Sequence, residues 1–245
     1  MNKYHGIENQ RSAGPAEPTS PAICLRKVSK IFKTGDETVS ILDAADLEIK
    51  AGETFAITGE SGTGKSTLLH IMGTLLKPDS GSVGYFENAD IYGLTDKRLS
   101  EFRNENIGFV FQFHYLLNEF SCIENVAMPL YIRNEPKAKA LKIARDYLCE
   151  LGLEHRLNFK PYTLSGGEQQ RAAIARALIG SPKVVLMDEP TGNLDPRHAE
   201  KLHEIIINLN KKYNKTLIVV THDEEFSNMM GHKIKIVNGI IEHIN

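Results

Sequence analysis

The chain has 245 residues, 41% of them hydrophobic and 24% charged, with a net charge of −2. That length suits one large domain or a core with a subdomain, and the near-neutral charge excludes the broad basic field of a nucleic-acid or anionic-lipid binder. No apolar run approaches the roughly 20 residues of a membrane span, and Cys24, Cys122 and Cys149 form no CxxC pair, which favours free thiols over a disulfide framework or a zinc site.

Residues 1–22 are rich in Pro, Ser, Gly and polar side chains and lack the apolar centre of a signal peptide. A disordered tail is expected there, ahead of a folded domain over residues 23–245. Residues 23–50 alternate apolar and polar around a turn at 33–36, the pattern of an antiparallel β layer. A short strand is expected at 55–58 (FAIT) and a helix at 65–76. From about 90 to 163 helical patterns dominate, with a helix at 137–151, so this stretch reads as an inserted helical subdomain, although the run IGFVF at 107–111 has strand character. Helices at 168–179 and 198–213 then alternate with apolar runs at 184–187 (VVLM) and 217–220 (LIVV). Short β-rich runs of this kind suit strands buried on both faces. Their alternation with helices predicts an α/β fold with a mainly parallel core sheet.

Each apolar run ends in chemistry. FAIT leads into GESGTGKST, IGFVF into Gln112, VVLM into Asp188 and Glu189, and LIVV through Thr221 into His222. In a parallel sheet the carboxyl ends share one edge, where ligands bind. Gly59, Glu60, Ser61, Gly62, Thr63, Gly64, Lys65 and Ser66 fit GxxxxGK[ST]. The glycines let backbone N–H groups turn inward toward phosphate oxygens, and the helix that follows presents its positive end. Lys65 is then a point charge for the β- and γ-phosphates of a nucleotide, Ser66 a Mg²⁺ ligand and Thr67 an α-phosphate donor. Asp188 is expected on the Mg²⁺ side, and Glu189 is the candidate general base for in-line attack by water. His222 is a candidate γ-phosphate contact. Gln112 is a candidate for Mg²⁺ or the attacking water.

The stretch LSGGEQQ at 164–170 raises a separate question. Ser165 and Glu168 fit a capping box at the start of the helix that follows. A cap alone does not call for Gly166 and Gly167, since glycine is disfavoured by up to about 1 kcal/mol in a helix interior.

These motifs together resemble the ATP-binding cassette (ABC) ATPases, in the order GESGTGKST, Gln112, LSGGEQQ, VVLMDEP, GNLD (192–195) and His222. The resemblance covers the chain from about residue 23 to its end. It implies a P-loop NTPase fold with an antiparallel β layer and an inserted helical subdomain, and a head-to-tail dimer with ATP at the interface. Ser165, Gly166 and Gly167 of one copy would face the nucleotide held by the other, and Asp195 would signal across the interface. Phe32 falls where the family has an aromatic residue against adenine. Within the family, FQFHYLLNEFSCIENVAMPL (111–130) and EPTGNLD resemble the lipoprotein-releasing type, with Asn118 in place of an expected Pro and a longer N-terminal tail. That type pairs two ATPase copies with two integral-membrane subunits at the cytoplasmic face of the bacterial inner membrane. Macrolide-export and cell-division types share EPTGNLD. A soluble ABC ATPase acting on nucleic acid or ribosomes is disfavoured by the single cassette and the lack of basic excess. The segment 113–129 is expected near the groove for the membrane partner, with Phe113, Leu116 and Leu117 divided between groove and core.

Overall fold

In the computed structural model, residues 21–35 and 37–244 are described. Nearly all of the expected tail, and one residue of the expected turn at 33–36, lie outside them. Strands β1 (Ile23–Thr34) and β2 (Glu37–Ile49) form the anticipated antiparallel pair. A third strand, β4 (Ser80–Tyr85), completes that sheet in the order β2-β1-β4. The larger sheet has six strands. Its parallel members are β5 (Ile107–Val110), β6 (Val184–Asp188), β7 (Thr216–Val220), β3 (Thr54–Thr58) and β8 (His232–Val237), while β9 (Ile240–Ile244) runs antiparallel at the edge.

The period-2 alternation of these strands divides the core in two. Val184 and Leu186 of β6, Ile218 and Val220 of β7, and Phe55 and Ile57 of β3 face the antiparallel layer and helix α1 (Lys65–Met72). Val185, Met187, Leu217, Val219 and Ala56 face the other way, toward the helices. Strands β6 and β7 are buried at every position, as continuous apolar runs in a two-sided parallel sheet should be.

The helical side includes one strand of the core sheet. The range of about 90–163 contains β5, which pairs with β6 as a strand of the core sheet. Helix α2 (Asp96–Asn106), N-capped by Thr95, runs directly into that strand. The helices that stand apart from the sheet are α3 (Cys122–Ile132) and α4 (Lys137–Glu150), which pack on each other and on α5 (Gly166–Leu178). The remaining helices are α6 (Pro196–Tyr213) and the short α7 (Glu224–Asn228). All three cysteines are free.

Strand β5 approaches α5 closely at Gly108. A Cβ built there would sit 2.3 Å from the Ala177 carbonyl oxygen and 3.1 Å from Pro182. Backbone cannot retreat as a flexible side chain can, so Gly108→Ala should destabilise the fold by about 1–3 kcal/mol, the usual cost of overpacking. Thermal or denaturant unfolding checks this, and an unchanged midpoint would mean that β5 and α5 are not in the contact described.

Candidate active site

Register assembles the site. Val110 lies beside Met187, Met187 beside Val219, and Val219 beside Ala56. One step on, Asp188 lies beside Val220 and Val220 beside Ile57. The segments bearing Gln112, Glu189, His222 and the loop from Gly59 therefore leave the sheet at one edge. They line a cleft of about 530 Å³ together with Phe32, Ser61, Gly62, Gly64, Lys65, Ser66 and Thr67.

The glycine loop has the shape its sequence requires. Gly59, Gly62 and Gly64 have φ of +132°, +82° and +100°, a region open to glycine at little cost. Gly64 is doubly constrained, since a Cβ there would stand 2.5 Å from Ile41 Cγ2. Lys65 is buried and donates to the carbonyls of Gly59 at 2.9 Å and Glu60 at 2.6 Å. The Thr63 hydroxyl also donates to the Glu60 carbonyl, at 2.9 Å. Glu60 and Thr63 thus shape the loop and are not among the residues lining the cleft. No side chain caps the start of α1, and its first three residues line the cleft. Its positive end is therefore suited to an anion.

The Ser66 hydroxyl donates to Asp188 Oδ1 at 3.0 Å, and His70 Nε2 lies 4.0 Å from Asp188 Oδ2. Burial pushes the Asp188 carboxyl above the usual carboxylate range, against the pull of the Ser66 hydrogen bond and His70. A hydroxyl, a carboxylate and the nearby Gln112 amide are hard oxygen donors. They suit Mg²⁺ held jointly with substrate phosphates better than a cation in an all-protein cage.

Glu189 adopts φ +45°, uncommon for a residue with a Cβ. Its N–H donates to the Val220 carbonyl at 2.9 Å, and its carbonyl accepts from Gly192 N–H at 3.2 Å. Oε2 then lies 2.9 Å from His222 Nδ1. The two residues come from adjacent strands, β6 and β7, and both line the cleft.

The LSGGEQQ residues and Asp195 are not brought to this cleft. Ser165 caps α5, its Oγ accepting from Glu168 N–H at 3.3 Å, while Glu168 Oε2 accepts from Ser165 N–H at 2.8 Å. Glu168 is buried and Oε1 accepts from Arg156 Nε at 2.7 Å. Burial would raise its pKa, but the Ser165 and Arg156 hydrogen bonds outweigh that and hold it down at about 2. Gly166 and Gly167 are under no such internal constraint. Neither has positive φ, and an added Cβ would meet nothing closer than 3.8 Å. Asp195 caps α6 by accepting from His198 N–H at 3.3 Å, and its Oδ2 lies 2.6 Å from His198 Nδ1.

A second cavity, about 580 Å³, is a groove whose lining includes Phe109, Phe111, Tyr115, Pro129, Ile132 and Arg176. Phe113, Leu116 and Leu117 do not line it. Arg176 donates to the carbonyls of His114 and Tyr115, both at 2.7 Å, and Asn125 binds the backbone of Leu117 on both sides. This pinning leaves Phe113 and Leu117 exposed and packs Leu116 on the core.

Residues 42–192 match the ABC transporter family. The chain is 51% identical over 212 residues to the lipoprotein-releasing system ATP-binding protein LolD of Geobacter metallireducens, covering 86% of this chain and 94% of that one. It is 47% identical over 217 residues to LolD of Cytophaga hutchinsonii, covering 89% and 98%. Among solved structures it is similar to the dimeric structure of MJ0796, a bacterial ABC transporter cassette, with TM-score 0.83, 40% identity, and 90% and 96% of the two chains covered. The dimeric post-hydrolysis state of MJ0796 bound to ADP and Pi matches with TM-score 0.83, 38% identity, and 91% and 99% covered.

The Glu168 cap carries a pH signature. Its carboxyl titrates at about 2 when folded against an ordinary 4.5, so its stabilisation is present above pH 4.5 and is lost as pH falls toward 2. Glu168→Gln should lower stability at neutral pH and flatten the loss of stability over that acid range. Denaturant titrations at several pH values check it. Equal acid slopes for the two proteins would contradict the buried ionised cap.

Proposed function

The chain belongs to the ABC transporter family, and on that premise we propose that it is the ATP-hydrolysing subunit of a complex releasing lipoproteins from the inner membrane toward the outer membrane. One observation carries the enzymatic reading: Lys65, the Ser66–Asp188 pair and the Glu189–His222 pair share the edge to which four parallel strands deliver their ends.

In this reading the loop 59–66 and Thr67 bind the ATP phosphates, with Lys65 as the charge against the β- and γ-phosphates. Phe32, at the rim of the same cleft, offers an aromatic face to adenine. Ser66, Gln112 and Asp188 would hold Mg²⁺, which supplies positive charge against the phosphates and keeps the buried Asp188 ionised. Glu189 acts as general base, taking a proton at Oε from the attacking water. His222 orients that carboxylate through the 2.9 Å contact and lies where it can register the loss of the γ-phosphate.

Ser165, Gly166 and Gly167 act on the nucleotide of a second copy, head to tail. The support is physical: two glycines stand at a helix start with no internal steric or backbone reason to be glycine. Bare N–H groups beside a serine hydroxyl make an anion site. Asp195, an exposed carboxylate at the start of α6, would signal across the same interface. The dimeric form of MJ0796 supports such an assembly. Among the described residues no helix is long and apolar enough to cross a membrane. Two integral-membrane subunits supply that passage, docked at the groove of Phe109, Phe111, Tyr115 and Ile132, on the cytoplasmic face of the inner membrane.

Glu189→Gln should reduce ATP turnover by at least about 100-fold, the lower end of the range for a positioned proton acceptor, while ATP binding persists and a dimer accumulates. ATPase assays with light scattering in ATP and Mg²⁺ check this; normal turnover would remove the base assignment. Mixing Lys65→Ala with Ser165→Arg chains tests the shared site. Each variant alone should be inactive. A mixed dimer has one composite site with both lesions and one with neither, so activity should partly return. Absence of any rescue would exclude action across the interface.

A further inference from the structure

We propose that His203 is a positioning residue that holds the Glu189 turn and the His222 turn together for hydrolysis; this rests on the roles proposed for Glu189 and His222. Helix α6 buries Ala199, Leu202, His203, Ile206 and Leu209, a stripe at the spacing of one helix face. A histidine in that stripe is the exception, and its ring touches three segments at once. Nε2 lies 3.0 Å from the Thr191 hydroxyl and 3.9 Å from Asp223 Oδ2. The imidazole stacks on Phe226, with centroids 4.0 Å apart and planes within 5°. The residue is only 4% exposed.

The partners explain why this place matters. Thr191 is buried two residues after Glu189, and its carbonyl accepts from Leu194 N–H at 3.0 Å in the turn leading to Asp195. Asp223 directly follows His222 and caps α7, its Oδ1 accepting from Phe226 N–H at 2.9 Å. His203 therefore joins three things: the turn after β6, the turn after β7, and α6, which Asp195 caps at its start. Those two turns carry the Glu189–His222 pair, whose 2.9 Å contact depends on their spacing. Burial pushes the His203 ring below the ordinary histidine value, against the opposing pull of Asp223, Glu225 and Glu200. A neutral ring meets the Thr191 hydroxyl equally well as donor or acceptor, because a hydroxyl serves as either. Simple core filling would be met by phenylalanine, which keeps the stack but loses the polar bridge.

The test uses the full chain, with steady-state ATPase kinetics, ATP binding and thermal unfolding measured for His203→Phe, His203→Gln, Thr191→Val and Glu189→Gln. His203→Phe should lower kcat roughly tenfold, the rate equivalent of about one hydrogen bond, with KM and ATP affinity within about twofold of wild type. His203→Gln, whose amide can reach Thr191, should recover most of that loss. Thr191→Val should resemble His203→Phe, and the double variant should be no slower than either single one. Wild-type kcat in both His203→Phe and Thr191→Val overturns the proposal, as does a loss of kcat matched by an equal loss of ATP affinity. If His203→Phe does not fold, Thr191→Val and His203→Gln decide by the same criteria. With Glu189→Gln inactive, such a failure concerns His203 alone; with Glu189→Gln fully active, the underlying reading fails as well.

Discussion

Asp188 lies beside Val220, and Val220 beside Ile57, because β6, β7 and β3 share one parallel register. That register is held by the core rather than by the polar residues that use it. In β6, Val185 and Met187 face the helices while Val184 and Leu186 face the antiparallel layer. A slip of one residue would exchange the two sets, placing each side chain in a cavity shaped for another. The site inherits this precision. Glu189 and His222 meet at 2.9 Å because the apolar strands behind them cannot slide.

Much of this arrangement was legible in the amino-acid order. The runs 55–58, 184–187 and 217–220 are strands within one residue of their expected limits, and 107–111 forms β5. Their signal was composition: continuous β-branched and apolar residues bounded by polar ones. Strand β4 gave no such signal. Its sequence SGSVGY is weak as a strand, and pairing with β1 creates it, with the Lys27 carbonyl only 2.3 Å from where a Cβ of Gly81 would lie. The β8–β9 hairpin did carry one, since Asn238 and Gly239 at φ +50° and +80° are the residues a tight hairpin turn favours. Short alternating runs near a chain end are easily passed over beside stronger motifs. How Phe113, Leu116 and Leu117 divide between surface and core was hidden for a different reason. Nothing local reveals that Arg176, some 60 residues on, binds the His114 and Tyr115 carbonyls.

The two readings of LSGGEQQ prove compatible. The Ser165 hydroxyl accepts one long hydrogen bond from Glu168 N–H, which uses a lone pair and leaves its proton free to donate elsewhere. Most of the cap's strength comes from beneath, where the buried Glu168 carboxylate takes Ser165 N–H and the Arg156 guanidinium. An ionised group thus holds the helix start rigid from the inside while the serine hydroxyl and the two glycines remain at the surface. Rigidity without side-chain bulk is what an anion site assembled between two molecules requires.

The left-handed backbone of Glu189 sets the protein's stability against the catalytic role proposed for that residue. An L-residue with a side chain is disfavoured there by about 1–2 kcal/mol, a cost that glycine escapes and asparagine partly escapes. Either substitution would relax the turn after β6 and remove the carboxylate beside His222. Variants selected for thermal tolerance alone would therefore drift toward glycine or asparagine at this position. In the general-base role proposed for it, Glu189 keeps its carboxylate at the expense of the fold.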